Sequence, residues 1–227
     1  MSIDRHRSCS PVDLWYLSLI TPLSSPIGQQ IFARSFHCAF DRLHPYFEAQ
    51  ERNYFCGVAC ASILLNALSS SPKWTQSTLY STVAQTYMLH GITLTNLSNV
   101  LRKCGLSSII RHCEDETIEE QFRRDIKNEQ NFLIVNYWRQ FEGNDKNYPL
   151  RYGHFSLVAA FDEITDQVLL LDTSNAKHPQ HWLGVKQLIR MMSTFDRTAT
   201  MSRGYLIVNH TKNNQTNDLN SNSTSIK

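Results

Sequence analysis

No stretch of the chain reaches the roughly 18 apolar residues that a membrane-crossing helix needs. The opening MSIDRHRSCSPVD has no apolar core of the kind that a secretory signal carries. A membrane partner is therefore not expected, and a soluble protein is. A charge excess is missing as well. Lys and Arg number 22 against 20 Asp and Glu, a formal net charge of +2, so the basic surface that nucleic-acid binding demands is absent. Small substrates fit this balance better than polyanions. The six cysteines (Cys9, Cys38, Cys56, Cys60, Cys104 and Cys113) include no CxxC pair and follow no zinc spacing. Six could form three disulfides by count, but a domain of this size does not need staples. Reduced thiols in the cytoplasm are the expectation.

What is present is the material of one folded domain. The chain has 227 residues, 41% hydrophobic and 19% charged, which excludes global disorder. Residues 1–14 are patternless, and the polar stretch from 211 has almost nothing to bury, so both are expected to be disordered around a domain spanning 15–210. Ser25-Pro26 predicts a helix start that runs through QQIFARSFHCAF. CGVACASILLNAL predicts a buried helix of about a dozen residues. Further helices are expected over Ser77–His90, Thr95–Cys104 and Glu116–Asn128. The period then changes: NFLIVNYW, GHFSLVAAFD, QVLLLDT and GYLIVN read as strands. Between the last two, Leu183, Val185, Leu188, Ile189 and Met192 predict one more helix. Helices first and antiparallel strands later give an α+β class, with a helical N-terminal half packed on an antiparallel sheet.

The candidate chemistry starts at Cys56. It directly precedes Gly57 at the head of the apolar helix, where unpaired N–H groups and the positive end of the helix dipole favour a thiolate. Cys60, one turn on, reads as structural. A thiolate needs a base that takes its proton and later protonates the leaving group. Of nine histidines, His154 stands out because it opens the strand GHFSLVAAFD, a rigid mount for an imidazole. Asp172 closes the strand QVLLLDT, where an unpaired carboxylate would be costly to bury. His154 and Asp172 share a sheet face if the connecting loop is odd, about three residues centred on Ile164, or if a bulge corrects the register. Gln50, six residues before Cys56, is placed to donate to an oxyanion beside the Cys56 N–H.

These residues resemble the catalytic domain of phytochelatin synthases, from about Leu17 to Val208. The resemblance is carried by QERNYFCGVACASILLNAL, Gly91-Ile92-Thr93, Tyr137 with Arg139, GHFSLVAAFDEITDQVLLLDT, Lys177-x-Pro179 with Trp182, and Asp196 with Arg203-Gly204-Tyr205. It implies a papain-like fold and a transpeptidase acting on glutathione through a γ-glutamylcysteinyl thioester on Cys56, with His154 and Asp172 completing a triad. It further implies that Asp196 holds the γ-glutamyl amine and Arg203 its carboxylate. Arg139, Gly153 and Phe155 are further candidates for contact with the substrate. No cofactor or metal ligand set is implied; cadmium or zinc enters as a glutathione thiolate complex, and a homodimer is admitted.

After Asp172 the family pattern carries an arginine and a tyrosine where this chain has Asn175 and His178. With those groups changed, and without a cysteine-rich C-terminal region, hydrolysis is favoured over transfer to a second glutathione. Two other readings stand beside this one. Gln-x5-Cys-Gly-x-Ala-Cys followed by a His-Phe strand also resembles peptidases that remove double-glycine leaders. A non-catalytic thiol or metal binding protein is the third, with His37–Cys38 and His112–Cys113 as its weakly spaced candidates.

Overall fold

The structure, a computed structural model, describes residues 16, 18–71, 73–88, 91–139, 153–174 and 179–209. The segments 1–14 and 211–227, and the positions Asn175, Lys177 and His178, lie outside the described residues.

After the two-residue strand β1 (Thr21–Pro22), Ser25 accepts a hydrogen bond from the Gly28 N–H at 3.0 Å and Pro26 occupies the first turn of α1 (Pro26–Arg34). The helix stops earlier than its sequence predicts. Phe36 exchanges backbone hydrogen bonds with Phe161 in both directions at 2.8 Å, which draws the chain out of helical geometry before α2 (Cys38–Leu43) begins. The apolar helix forms as α3 (Cys56–Leu68), buried continuously from Cys56 to Leu65. The expected Ser77–His90 helix is shorter: α4 (Gln76–Thr82) opens with a Thr75–Thr78 capping box and gives way to a 3-10 turn at Ala84–Tyr87. Thr93 caps α5 (Leu94–Lys103). Then come β2 (Ser108–His112), a strand not anticipated, and α6 (Ile118–Lys127).

The strands of the second half are β3 (Asn131–Tyr137), β4 (His154–Asp162), β5 (Gln167–Asp172) and β6 (His181–Gly184). Leu183, expected in a helix, lies in β6 because it pairs with Val168, so α7 is confined to Val185–Met192. A small hairpin of β7 (Phe195–Asp196) and β8 (Met201–Ser202) precedes β9 (Gly204–Asn209). Seven strands form one sheet in the order β1-β6-β5-β4-β3-β9-β2, with every neighbouring pair antiparallel.

Alternation sorts the sheet residues into two cores. Phe132, Ile134, Phe155, Leu157, Leu171 and Leu206 pack against α3 and its neighbours, while Leu133, Val135, Val158, Leu170 and Ile207 face α6 and α7. Covered on both faces, these strands read as unbroken apolar runs. Each large apolar side chain buried this way contributes about 1.5–3 kcal/mol before entropy is set against it. The class is α+β. The helical first half covers one face of the antiparallel sheet, and α6 and α7 cover the other.

Candidate active site

Tyr54 turns the chain into α3 with a left-handed backbone, φ 69°, a conformation that costs a non-glycine residue about 1–3 kcal/mol. Two residues later Cys56 is the first residue of the helix, and no side chain caps that end. Its first-turn N–H groups therefore lie beside the thiol. Gly57 is required by close packing: a Cβ there would stand 2.5 Å from Ile92 Cγ2 and 3.4 Å from the Phe155 ring. The helix end can thus sit against the start of β4, where His154 is.

Asp162 opposes Gln167 at the end of the β4–β5 hairpin, so the loop has four residues, an even number. The faces still match. A bulge between Val158 and Ala160 shifts the register by one, so that Ser156 opposes Asp172 and His154, two residues away, shares its face. His154 Nε2 then lies 2.9 Å from Asp172 Oδ1. The Cys56 thiol interacts by hydrogen bonding with the His154 imidazole and with the backbone of Phe155.

The electrostatics favour an ion pair. Burial pushes the Cys56 thiol up, but the hydrogen bond and charge of His154, with the Phe155 N–H and Arg139, bring it below its ordinary value. Burial and Arg139 pull His154 down. The charge and hydrogen bond of Asp172, together with the bond to Cys56, outweigh them and hold the imidazole above its usual range. Burial likewise pushes Asp172 up, and the charges of Arg139 and His154 overcome it, so the carboxylate is held well below normal. Cys60 is the reverse case, a thiol pushed far up by burial and by its neighbours Cys56 and Asp172.

A cleft of about 220 Å³ opens beside Cys56, lined among others by Ile92, Asn136, Gly153, Asp196 and Arg203. Arg203 is 3% exposed. Its Nη1 donates to Phe195 O at 2.8 Å and to Thr194 Oγ1 at 3.1 Å, which pins the guanidinium and leaves the buried Nε without a partner. Asn136 Oδ1 is likewise buried and unpaired. Both atoms converge on Gly153, where a Cβ would lie 2.7 Å from Arg203 Nε and 2.8 Å from Asn136 Oδ1. A donor and an acceptor, buried and unsatisfied side by side, suit a ligand that carries both an anion and a cation.

Asp196, Gly153, Phe155 and Arg203 thus line the cleft together with Cys56. Two predicted residues sit elsewhere. Arg139, expected among the substrate contacts, is not on the cleft: its Nη2 donates to Asp172 Oδ2 and to Ser174 Oγ. Gln50, expected to face an oxyanion, donates its amide to Arg52 O at 3.0 Å, while its backbone N–H ties the loop to Thr173 O at 2.8 Å, next to Asp172. Asn136 was missed. Its signal was a polar residue inside the apolar run FLIVNY, and burial at 2% exposure explains its weight.

A cysteine at an uncapped helix end, a strand histidine and a buried carboxylate behind it thus stand in one row beside the cleft. The phytochelatin synthase family model matches residues 17–205, and the chain belongs to that family. It is similar to glutathione gamma-glutamylcysteinyltransferase 3 of Lotus japonicus, 28% identical over 207 residues, which are 83% of this chain and 42% of that protein. The Schizosaccharomyces pombe glutathione gamma-glutamylcysteinyltransferase is 26% identical over 207 residues, 81% of this chain and 47% of its own. Glutathione gamma-glutamylcysteinyltransferase 1 of Arabidopsis thaliana is 27% identical over 188 residues, 74% and 36%. The chain spans less than half the length of these relatives.

Proposed function

We propose that this chain is a papain-like thiol enzyme that cleaves the Cys-Gly amide of glutathione. The Cys56 thiolate attacks the amide carbonyl, and the C–N bond breaks as the imidazolium of His154 gives its proton to the departing glycine amine. A γ-glutamylcysteinyl thioester remains on Cys56. His154 then takes a proton from water, which attacks the thioester and releases γ-glutamylcysteine and the thiolate. Asp172 fixes the imidazole and stabilises its charged form. The oxyanion is met by the Cys56 N–H and by Gln50, whose amide must swing away from Arg52 O to serve.

The observation that carries this reading is the paired orphan atoms of the cleft. Arg203 Nε suits the γ-glutamyl carboxylate, and Asn136 Oδ1 with Asp196 suits the amine, so the zwitterionic end of the donor finds complementary groups beside the nucleophile. The cleft volume of about 220 Å³ lies below the roughly 300–1,000 Å³ of sites for drug-sized ligands. That supports a dipeptide-sized acyl group over the several residues a leader peptidase would hold. The changes at Asn175 and His178 support water over a second glutathione as acceptor. Cadmium or zinc belongs to the substrate side, as a glutathione thiolate. Five free thiols among the described residues support a reducing cytoplasmic setting, and no helix among them is long and apolar enough to cross a membrane.

Mass spectrometry of glutathione incubated with the protein, with and without cadmium, tests this, with Cys56→Ala as control. Glycine and γ-glutamylcysteine are expected only with the intact cysteine, and longer γ-glutamylcysteine oligomers would show transfer instead of hydrolysis. Unchanged glutathione would remove the donor assignment and turn the search to peptides.

A further inference from the structure

Behind the reacting groups, buried polar residues that the chemistry above does not use surround Asp172. Each oxygen of Asp172 is claimed twice or more. Oδ1 accepts from His154 Nε2 at 2.9 Å and from the N–H and hydroxyl of Ser174, both at 2.8 Å. Oδ2 accepts from Arg139 Nη2 and from Tyr137 OH at 3.4 Å. Arg139 also holds Ser174 Oγ at 3.0 Å, so one guanidinium nitrogen fixes both the carboxylate and the residue that clamps its other oxygen. The guanidinium lies 5.5 Å from the Tyr16 ring and 5.9 Å from that of Tyr137.

The proton directions in this cluster follow from one fixed point. His181 Nδ1 stands 2.6 Å from the Pro179 carbonyl, which can only accept, so Nδ1 carries the proton and Nε2 accepts from Tyr16 OH at 2.8 Å. The Tyr16 proton being committed there, the 3.4 Å contact between Tyr16 and Tyr137 cannot run toward Tyr137. The oxygen of Tyr137 can take the Ser156 hydroxyl proton at 3.1 Å, and its own proton goes to Asp172. His181 is thus a neutral anchor that takes the Tyr16 proton, while Ser156 and Tyr137 donate separately toward Asp172.

We propose that Arg139 is a positioning residue that holds Asp172 ionised and aimed at His154, and thereby sets the pH range over which the Cys56–His154 pair is charged. A carboxylate with no exposed surface would take up a proton rather than stay charged without a cation beside it. The same cation, one step behind the imidazole, limits how far Asp172 can strengthen the base. The groups bearing on the pair from the elements around it are Cys60 on α3, Tyr137 on β3, Asp172 on β5, His181 on β6, and Tyr16 and Arg139. Of these only Asp172 and Arg139 are charged at neutral pH. His154 repels Arg139 more strongly as it protonates, and Cys56 is drawn to it as it ionises. Removing the cation lifts Cys56 directly, and a protonated Asp172 would no longer support the charged imidazole that holds the thiolate, so the thiolate forms at higher pH.

This inference rests on Cys56, His154 and Asp172 as the reacting groups and not on the identity of the substrate. Its test is the pH dependence of Cys56 alkylation by iodoacetamide, which needs no substrate. Arg139→Met should move the thiolate midpoint upward by on the order of one pH unit, and Arg139→Lys, which keeps the charge, should restore it. A wild-type midpoint in a folded Arg139→Met protein would overturn the proposal. If that variant does not fold, Arg139→Lys still decides through turnover. The shorter, flexible lysine stem does not hold its nitrogen where Nη2 meets both Asp172 and Ser174, so kcat should fall on the order of ten- to a hundredfold at unchanged KM. A raised KM at unchanged kcat would make Arg139 a substrate contact and overturn the inference. Absence of glutathione turnover by the wild type would count against the proposed substrate alone, since the alkylation result stands without it.

Discussion

At the scale of single residues, the cleft is governed by which atoms are left unpaired. Gly153 has no side chain where Arg203 Nε and Asn136 Oδ1 converge, so a methyl group there would occupy the space a ligand's charged end requires. Gly153→Ala is expected to raise KM for glutathione tenfold or more, since one lost charge-assisted bond is worth about 1.5–3 kcal/mol. The rate of Cys56 alkylation should stay at the wild-type value, and steady-state kinetics with an alkylation assay checks both. Cys56, His154 and Asp172 could be singled out from sequence because each sits at the border of an apolar run, where a polar group has a reason to be. Arg139, expected among the substrate contacts, is placed by the structure against Asp172 and Ser174 instead of on the cleft. An arginine just past a strand is free to reach a ligand as far as its local sequence tells, and nothing local reveals that a carboxylate more than thirty residues away pairs with it. Asn136 escaped because a single amide in FLIVNY looks like a satisfied core residue.

At the scale of elements, the sheet sets where the side chains of His154 and Asp172 point. The bulge between Val158 and Ala160 corrects the parity of a four-residue loop, and the sequence offered the bulge only as one of two solutions. Nothing in LVAAF specifies it, because two adjacent alanines can face either side at little cost. The helices that matched best, α3 and α5, have a marked start or an unmistakable apolar run. β2 and β6 were hidden because each is short and half of its character is supplied by a partner strand. The β2–β9 pairing makes a prediction of its own. A Cβ at Gly204 would fall 1.9 Å from the Arg111 carbonyl oxygen, so the two backbones could not keep their spacing. Gly204→Ala should destabilise the fold by about 1–3 kcal/mol, read as a lower denaturant midpoint at unchanged m-value.

At the scale of the whole molecule, acid should loosen the fold through His181. Burial is the main force lowering it, with Asp172 and the Pro179 carbonyl opposing, and the net result is a pKa of about 4. The unfolded chain binds this proton near the ordinary histidine value of about 6.5. The unfolded state therefore holds more protons between those values, and stability is lost as pH falls through that window, by about 3 kcal/mol in total. His181→Gln should flatten this part of the stability curve, measured by urea unfolding from pH 4 to 7. A variant curve parallel to the wild type would assign the acid sensitivity to other groups. The same buried cluster joins the fold to the chemistry, since Tyr16, from the first described turn, and His181, from β6, meet behind Asp172.

The central claim is that Cys56 carries the acyl group, and the most direct measurement is the mass of the intact protein quenched in acid during exposure to glutathione. One γ-glutamylcysteinyl group on the peptide containing Cys56, absent in Cys56→Ala and removable by hydroxylamine, is the predicted result. Release of glycine with no covalent adduct under any quench time, or an adduct on Cys60 instead, would contradict the account.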